Sequence, residues 1–118
     1  MLIPETEFAF AGNARLRPDL SILRTAKWAE IDIDKIPVAV VPDIAVEIVP
    51  PSESARQLDR KVQVYREAGV MEVWVIYPDF QHLFVYGSGS LRELREPDTL
   101  ASPLLPGWSI AVKDLFKV

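Results

Sequence analysis

At 118 residues, with 49% hydrophobic and 25% charged residues, the chain has the size and balance of one folded globular unit, which excludes a disordered or membrane-spanning polypeptide. The absence of cysteine excludes disulfides, thiolate metal sites and a thiol nucleophile, so any chemistry rests on oxygen, amine or imidazole groups. A net charge of −4 and a pI near 5.0 weigh against a dedicated nucleic-acid binder, although carboxylates gathered round a metal ion give the same sign of charge.

Residues 6–10 alternate polar and apolar, residues 11–13 (Ala-Gly-Asn) carry turn chemistry, and Arg15 to Leu23 returns as extended chain, which predicts a β-hairpin. The stretch from Arg24 to Pro37, with Trp28, Glu30, Asp32 and Asp34, has no dominant period and is read as a loop with room for a helical turn. Ile44 to Val49 is β-branched and apolar, the pattern of a central strand, and carries Glu47; Pro50-Pro51 ends it.

Ser52 is the expected N-cap of a helix that runs to about Ala68, with Glu53 in its first turn and Gly69 as its stop. Ala55, Leu58, Val62, Tyr65 and Ala68 recur at helical spacing and form its predicted buried stripe. Glu72 to Tyr77 reads as a second buried strand, turned by Pro78-Asp79 into His82 to Tyr86, a second hairpin. Gly87 to Ser90 is a turn into a short strand, Leu91 to Arg95; Pro103 to Gly107 is a loop, and Val112 to Phe116 a short closing helix. Internal repeats are absent. No apolar run nears the roughly 18 residues that cross a bilayer, and no basic-then-apolar leader opens the chain, so a cytoplasmic location is expected.

Two elements bring acidic residues: Arg17-Pro18-Asp19 in the first hairpin, and Pro42-Asp43 with Glu47 in the central strand. Lys61 follows on the helix. Hydrolysis of a phosphodiester with a divalent ion needs carboxylates to hold the cation and a nearby cation or base to position water. Asp43 and Glu47 share a strand face but lie about 13 Å apart at normal strand rise, too far for one small ion. Asp19, from a neighbouring strand, is the better partner for Glu47, with Asp43 in a supporting role. Lys61, leaning toward the helix N-terminus as helical side chains do, is within reach of Glu47.

The segment Pro42-Asp43-Ile44-Ala45-Val46-Glu47-Ile48-Val49, followed by Pro51-Ser52, Lys61, Tyr65, Gly69 and Glu72-Val73-Trp74-Val75, resembles the Uma-two family of restriction endonucleases, within the PD-(D/E)XK nuclease superfamily. Arg17-Pro18-Asp19 resembles that family's upstream Pro-Asp motif, and Leu105-Pro106-Gly107-Trp108 with Asp114-Leu115-Phe116 its C-terminal end, so the likeness spans residues 15 to 118. It implies an α/β fold, a restriction-endonuclease-like mixed β-sheet flanked by helices and shortened at its N-terminus, as a single domain over residues 1–118. It also implies Mg²⁺ as cofactor, DNA as substrate and a homodimer. Carried over by position, Asp19 and Glu47 hold the metal, assisted by the carbonyl of Ile48. The superfamily's lysine two residues after the glutamate is replaced by Val49, and a helical lysine takes its place, which falls on Lys61. Pro50 replaces the serine usual before the Pro-Ser pair.

Each residue also has a plainer reading. Asp19 after proline suits a turn, and Lys61 suits a solvated helix face. Glu47, among Val46, Ile48 and Val49, is costly to bury alone and requires a metal, a lysine or solvent beside it. His82, the only histidine, reads as a surface residue of a hairpin strand, and Trp28, Trp74 and Trp108 as core or core-rim aromatics. Arg15 and Arg17 are too few to make a basic patch. The alternative to a nuclease is a catalytically silent, truncated module of the same fold that acts in self-association or partner binding, with apolar surface exposed where an N-terminal helix would pack.

Overall fold

The computed structural model describes residues 2–4, 8–9, 15–24 and 40–117. Among them the main sheet has six strands in the order β1-β4-β5-β6-β7-β8: β1 (Leu2–Pro4), β4 (Leu20–Ile22), β5 (Ile44–Ile48), β6 (Glu72–Tyr77), β7 (His82–Gly87) and β8 (Ser90–Leu94). Only β5 and β6 run parallel, because helix α1 (Ala55–Glu67) carries the chain back between them; every other neighbouring pair is antiparallel. A short ladder, β2 (Phe8–Ala9) with β3 (Arg15–Leu16), forms the expected first hairpin, and its turn lies outside the described residues. The stretch read as a loop, residues 25–37 with Trp28, also lies outside them.

Alternation along β5 and β6 splits the core in two. Ala45, Val73 and Val75 face α1, where Leu58, Val62 and Tyr65 cover them; Leu23 and Val70 complete this layer. Ile44, Val46, Trp74 and Ile76 face the other way, onto Leu100 and Val112. Leu100 belongs to β9 (Thr99–Ala101), paired with β10 (Ser109–Ala111), and Val112 opens α2 (Val112–Leu115). Burial on both faces explains why β5 and β6 read as unbroken apolar runs. The pair β9 and β10 goes beyond the sequence reading, since three-residue strands leave no period to detect.

Helix α1 starts two residues later than predicted. Pro50 accepts from the Glu53 N–H at 3.1 Å, so the chain turns once more before the helix. Ser54 is the N-cap: its Oγ accepts from Gln57 N at 3.2 Å, while Gln57 Oε1 accepts from Ser54 N at 3.0 Å. This reciprocal capping box satisfies two otherwise orphaned donors, which a lone Ser52 cap would not. At the other end Gly69, at φ 101°, permits the left-handed exit predicted there, with Val70 N donating to Tyr65 O and Gly69 N to Arg66 O. Of the predicted stripe, Leu58, Val62 and Tyr65 are buried, Ala68 is half-buried and Ala55 is exposed on the first turn.

The second hairpin forms as predicted through a 3-10 turn at Pro78–Phe80. His82 departs from its surface reading: its side chain is only 16% exposed, set edge-on to Tyr77 and Phe84, with Nδ1 3.8 Å from Glu93. Trp74 is buried and Trp108, half-exposed, stacks on it at 5.8 Å. Among the described residues no helix is long and apolar enough to cross a membrane.

Candidate active site

The site lies where β4, the end of β5 and the first half of α1 meet. In the antiparallel register Leu20 pairs with Val46, so Asp19, one residue earlier, falls across from Glu47, one residue later. The backbone then locks this placement: Ile48 N donates to Asp19 Oδ2 at 2.6 Å. Buried Pro18 fixes the approach to the bend that carries Asp19.

Glu47 is 3% exposed and belongs to the α1 face of the sheet. Tyr65, fully buried on α1, donates its hydroxyl to Glu47 Oε1. Lys61 Nζ lies 4.0 Å from Glu47 Oε2 and 2.6 Å from Glu53 Oε1. Lys61 therefore reaches Glu47, yet its shorter contact is with Glu53.

Glu53 escaped the sequence reading, which gave it only a dipole role. Its side chain is 8% exposed, and its Oε2 is buried without a hydrogen-bond partner. The capping box at Ser54 and Gln57 is the signal that exposes its true position, since it sets Glu53 before the helix and turned toward Lys61.

The electrostatics follow from burial and crowding. Loss of water pushes Glu47 from the ordinary 4.5 up to about 7; the Tyr65 hydrogen bond and the Lys61 charge pull it down, while the like charge of Asp19 and hydrogen bonding with it push it up. Burial lowers the proton affinity of Lys61, but its hydrogen bond to Glu53 and the charges of Glu47, Glu53 and Asp19 outweigh that, so it is held as an ammonium above the usual lysine range. Tyr65 is raised, by burial first and then by Glu47, and stays a neutral donor. Among the described residues, Lys61 is thus the one cation acting on the three carboxylates of Asp19, Glu47 and Glu53.

That imbalance bears on a metal. No three described Asp, Glu or His side chains converge as an enclosing metal cage. Mg²⁺ keeps several of its waters and takes one or two carboxylates, however, so Asp19 beside Glu47 is a donor set of the right kind. A cation there relieves the repulsion and the desolvation that raise Glu47. The residues fit a hard divalent ion.

Asp43 lies apart from this cluster. It is 1% exposed at the start of β5, where its Oδ2 accepts from Arg24 N at 2.7 Å and its Oδ1 from Arg24 Nε at 3.2 Å, while its carbonyl accepts from Met71 N and Glu72 N. It ties β4, β5 and β6 together. Asp43→Asn, which keeps one acceptor and loses the charge, is expected to cost about 1–2 kcal/mol in urea melts and to leave metal affinity unchanged. Glu72 is likewise paired away from the cluster, accepting from Trp74 Nε1 and Ser102 Oγ, each at 2.9 Å.

Comparison with known proteins gives a consistent outcome. The family model described as "Putative restriction endonuclease" (Uma2) matches residues 1–113. A solved structure from Anabaena variabilis, described as a putative nuclease belonging to DUF820, superposes with a TM-score of 0.79 at 24% sequence identity, a likeness of fold. The match covers 98% of this chain and 66% of that one, so the chain spans less than two thirds of that protein's length. No curated protein matches the chain. With the family model covering nearly its whole length and the fold agreeing, the chain belongs to the Uma2 family of restriction-endonuclease-like proteins.

Proposed function

We propose that this chain is a metal-dependent DNA endonuclease that hydrolyses phosphodiester bonds, with residues 1–118 forming one restriction-endonuclease-like domain. The observation that carries the reading is the convergence of Asp19, Glu47 and Lys61, from three separate elements, on one corner of the sheet. Asp19 and Glu47 would hold the divalent ion, with Mg²⁺ the natural choice for an all-oxygen donor set. When bound, that ion supplies Lewis acidity and lowers the pKa of water.

The chain's own groups do the rest. Tyr65 keeps one oxygen of Glu47 occupied and so orients the other toward Lys61. Lys61, locked as an ammonium by Glu53, offers positive charge and a donor to a phosphate oxygen or an attacking water rather than acting as a base. One such site cuts one strand, so cutting a duplex calls for a homodimer or two visits. A cytoplasmic setting, with DNA and millimolar Mg²⁺ at hand, suits this activity.

The test is titration calorimetry with Mg²⁺ and cleavage of supercoiled plasmid by the wild type and Glu47→Ala. The wild type is expected to bind the ion and nick DNA, and the variant to lose both. A wild-type protein whose melting ignores Mg²⁺ and that cuts nothing sinks the reading.

A second reading, a catalytically silent module acting in self-association, draws on exposed Phe80 and Leu91, 73% and 57% accessible on the second hairpin and β8. Self-association is common to both readings, and cleavage separates them.

A further inference from the structure

Beside the carboxylates lies an open groove of about 500 Å³ lined by Pro50, Ser52, Glu53, Gln57, Arg60, Lys61 and Val64. One of its walls is the N-terminal half of α1. Lys61 and Glu53 belong to both the groove and the carboxylate cluster, so the groove opens directly onto the site.

The charges within it are unevenly committed. Lys61 is engaged with Glu53 and Glu47, which leaves Arg60 as the cation of the lining that no carboxylate of the lining pairs. Arg60 is exposed and takes part in no ion pair among the described residues; Arg56, one helical turn earlier and outside the lining, is also exposed. Asp59, the nearest acid in sequence, lines a different concavity with Val62, Gln63, Arg66, Glu67 and Tyr86. On a chain of net charge −4, a positive groove ending at a carboxylate site is the feature to expect where a polyanionic strand must be brought to a metal. Gln57 adds an exposed amide, whose Oε1 is engaged with Ser54 N, so what it has left to offer is the NH₂ donor. Glu53 Oε2 is buried, so the exposed side chains of Arg60 and Gln57 present donors, which suit phosphate oxygens.

Resting on the nuclease reading above, we propose that this groove carries the DNA strand into the site, with Arg60 binding the phosphate next to the scissile one and Gln57 donating to the same backbone. Arg60 is then a strand-positioning residue that acts on affinity, while Glu47 acts on the chemistry.

The experiment measures binding of a fluorescent DNA duplex by anisotropy in Mg²⁺ over a range of salt, in a Glu47→Gln background that prevents cleavage. Arg60→Gln is compared with Lys113→Gln, the same charge change on α2 across the sheet. Arg60→Gln is expected to weaken binding about ten-fold whatever the sequence and to lower the salt slope by about one, while Lys113→Gln matches its parent. Equal affinity and slope for the two variants, on DNA that the parent binds, overturns the groove assignment and leaves the nuclease reading standing. No binding by the parent together with no cleavage by the wild type removes both. Circular dichroism of each variant separates a lost contact from a lost fold.

Discussion

Glu47→Gln is expected to make the metal-free protein more stable at pH 8 while abolishing cleavage. The sign follows from where the proton sits. In the unfolded chain Glu47 ionises near 4.5; in the folded chain burial holds the proton until about 7. The protonated form is therefore favoured by folding. The stability it contributes is present in full below pH 4.5, is lost as pH rises toward 7, and is gone above that. The shift corresponds to roughly 3 kcal/mol, on the order of 10 °C in melting temperature for a chain of this size. Glutamine mimics the protonated acid, since its carbonyl accepts from Tyr65 and its amide donates toward Asp19, and it carries no charge to desolvate.

Thermal melts in a chelating buffer should show the variant well above the wild type at pH 8 and level with it near pH 4.5. Mg²⁺ should then raise the wild type at pH 8 and leave the variant unmoved, because an ion that binds only the folded state stabilises it by mass action. Cleavage by the variant is expected to fall at least about a thousand-fold, the scale of several kcal/mol of lost electrostatic stabilisation. A variant that melts below the wild type at pH 8 would show that Glu47 is held by its ion pair rather than strained by burial, and would remove the case for a cation there.

Much of this was legible in the residues. The β-branched runs of β5 and β6 announce burial on both faces, and Gly69 announces the end of α1, because backbone and solvation chemistry act locally. The reach of Lys61 to Glu47 follows from strand and helix rise together with the lean of helical side chains toward the N-terminus. What local rules miss is competition. Ser52 and Ser54 are both acceptable caps, and only the reciprocal bond to Gln57 decides between them. That two-residue choice moves Glu53 from a helix turn to the partner of Lys61. His82 escaped for a similar reason: besides Phe84, two residues along its own strand, its burial depends on Tyr77, which the register of β6 and β7 sets directly across from it.

Tyr65 joins the fold to the site, and its two substitutions should come apart. Its ring is fully buried in the layer between α1 and the sheet, among Leu58, Val62, Val73 and Val75, so Tyr65→Ala is expected to cost about 3–5 kcal/mol through the cavity it leaves. Tyr65→Phe keeps the ring and deletes only the donor to Glu47, with an expected cost of about 1–3 kcal/mol. The phenylalanine penalty should depend on pH. At pH 8 the hydroxyl supports a buried carboxylate; at pH 5 it supports a neutral acid that needs it less. Because the hydroxyl holds Glu47 down, its removal also moves the ionisation of Glu47 upward, so the loss in Tyr65→Phe should be greater at pH 8 than at pH 5, and that in Tyr65→Ala large at both. Urea melts of the two variants at the two pH values measure this directly. A phenylalanine penalty that is the same at both would mean that the hydroxyl serves packing alone and that Glu47 is positioned by Lys61 and the backbone.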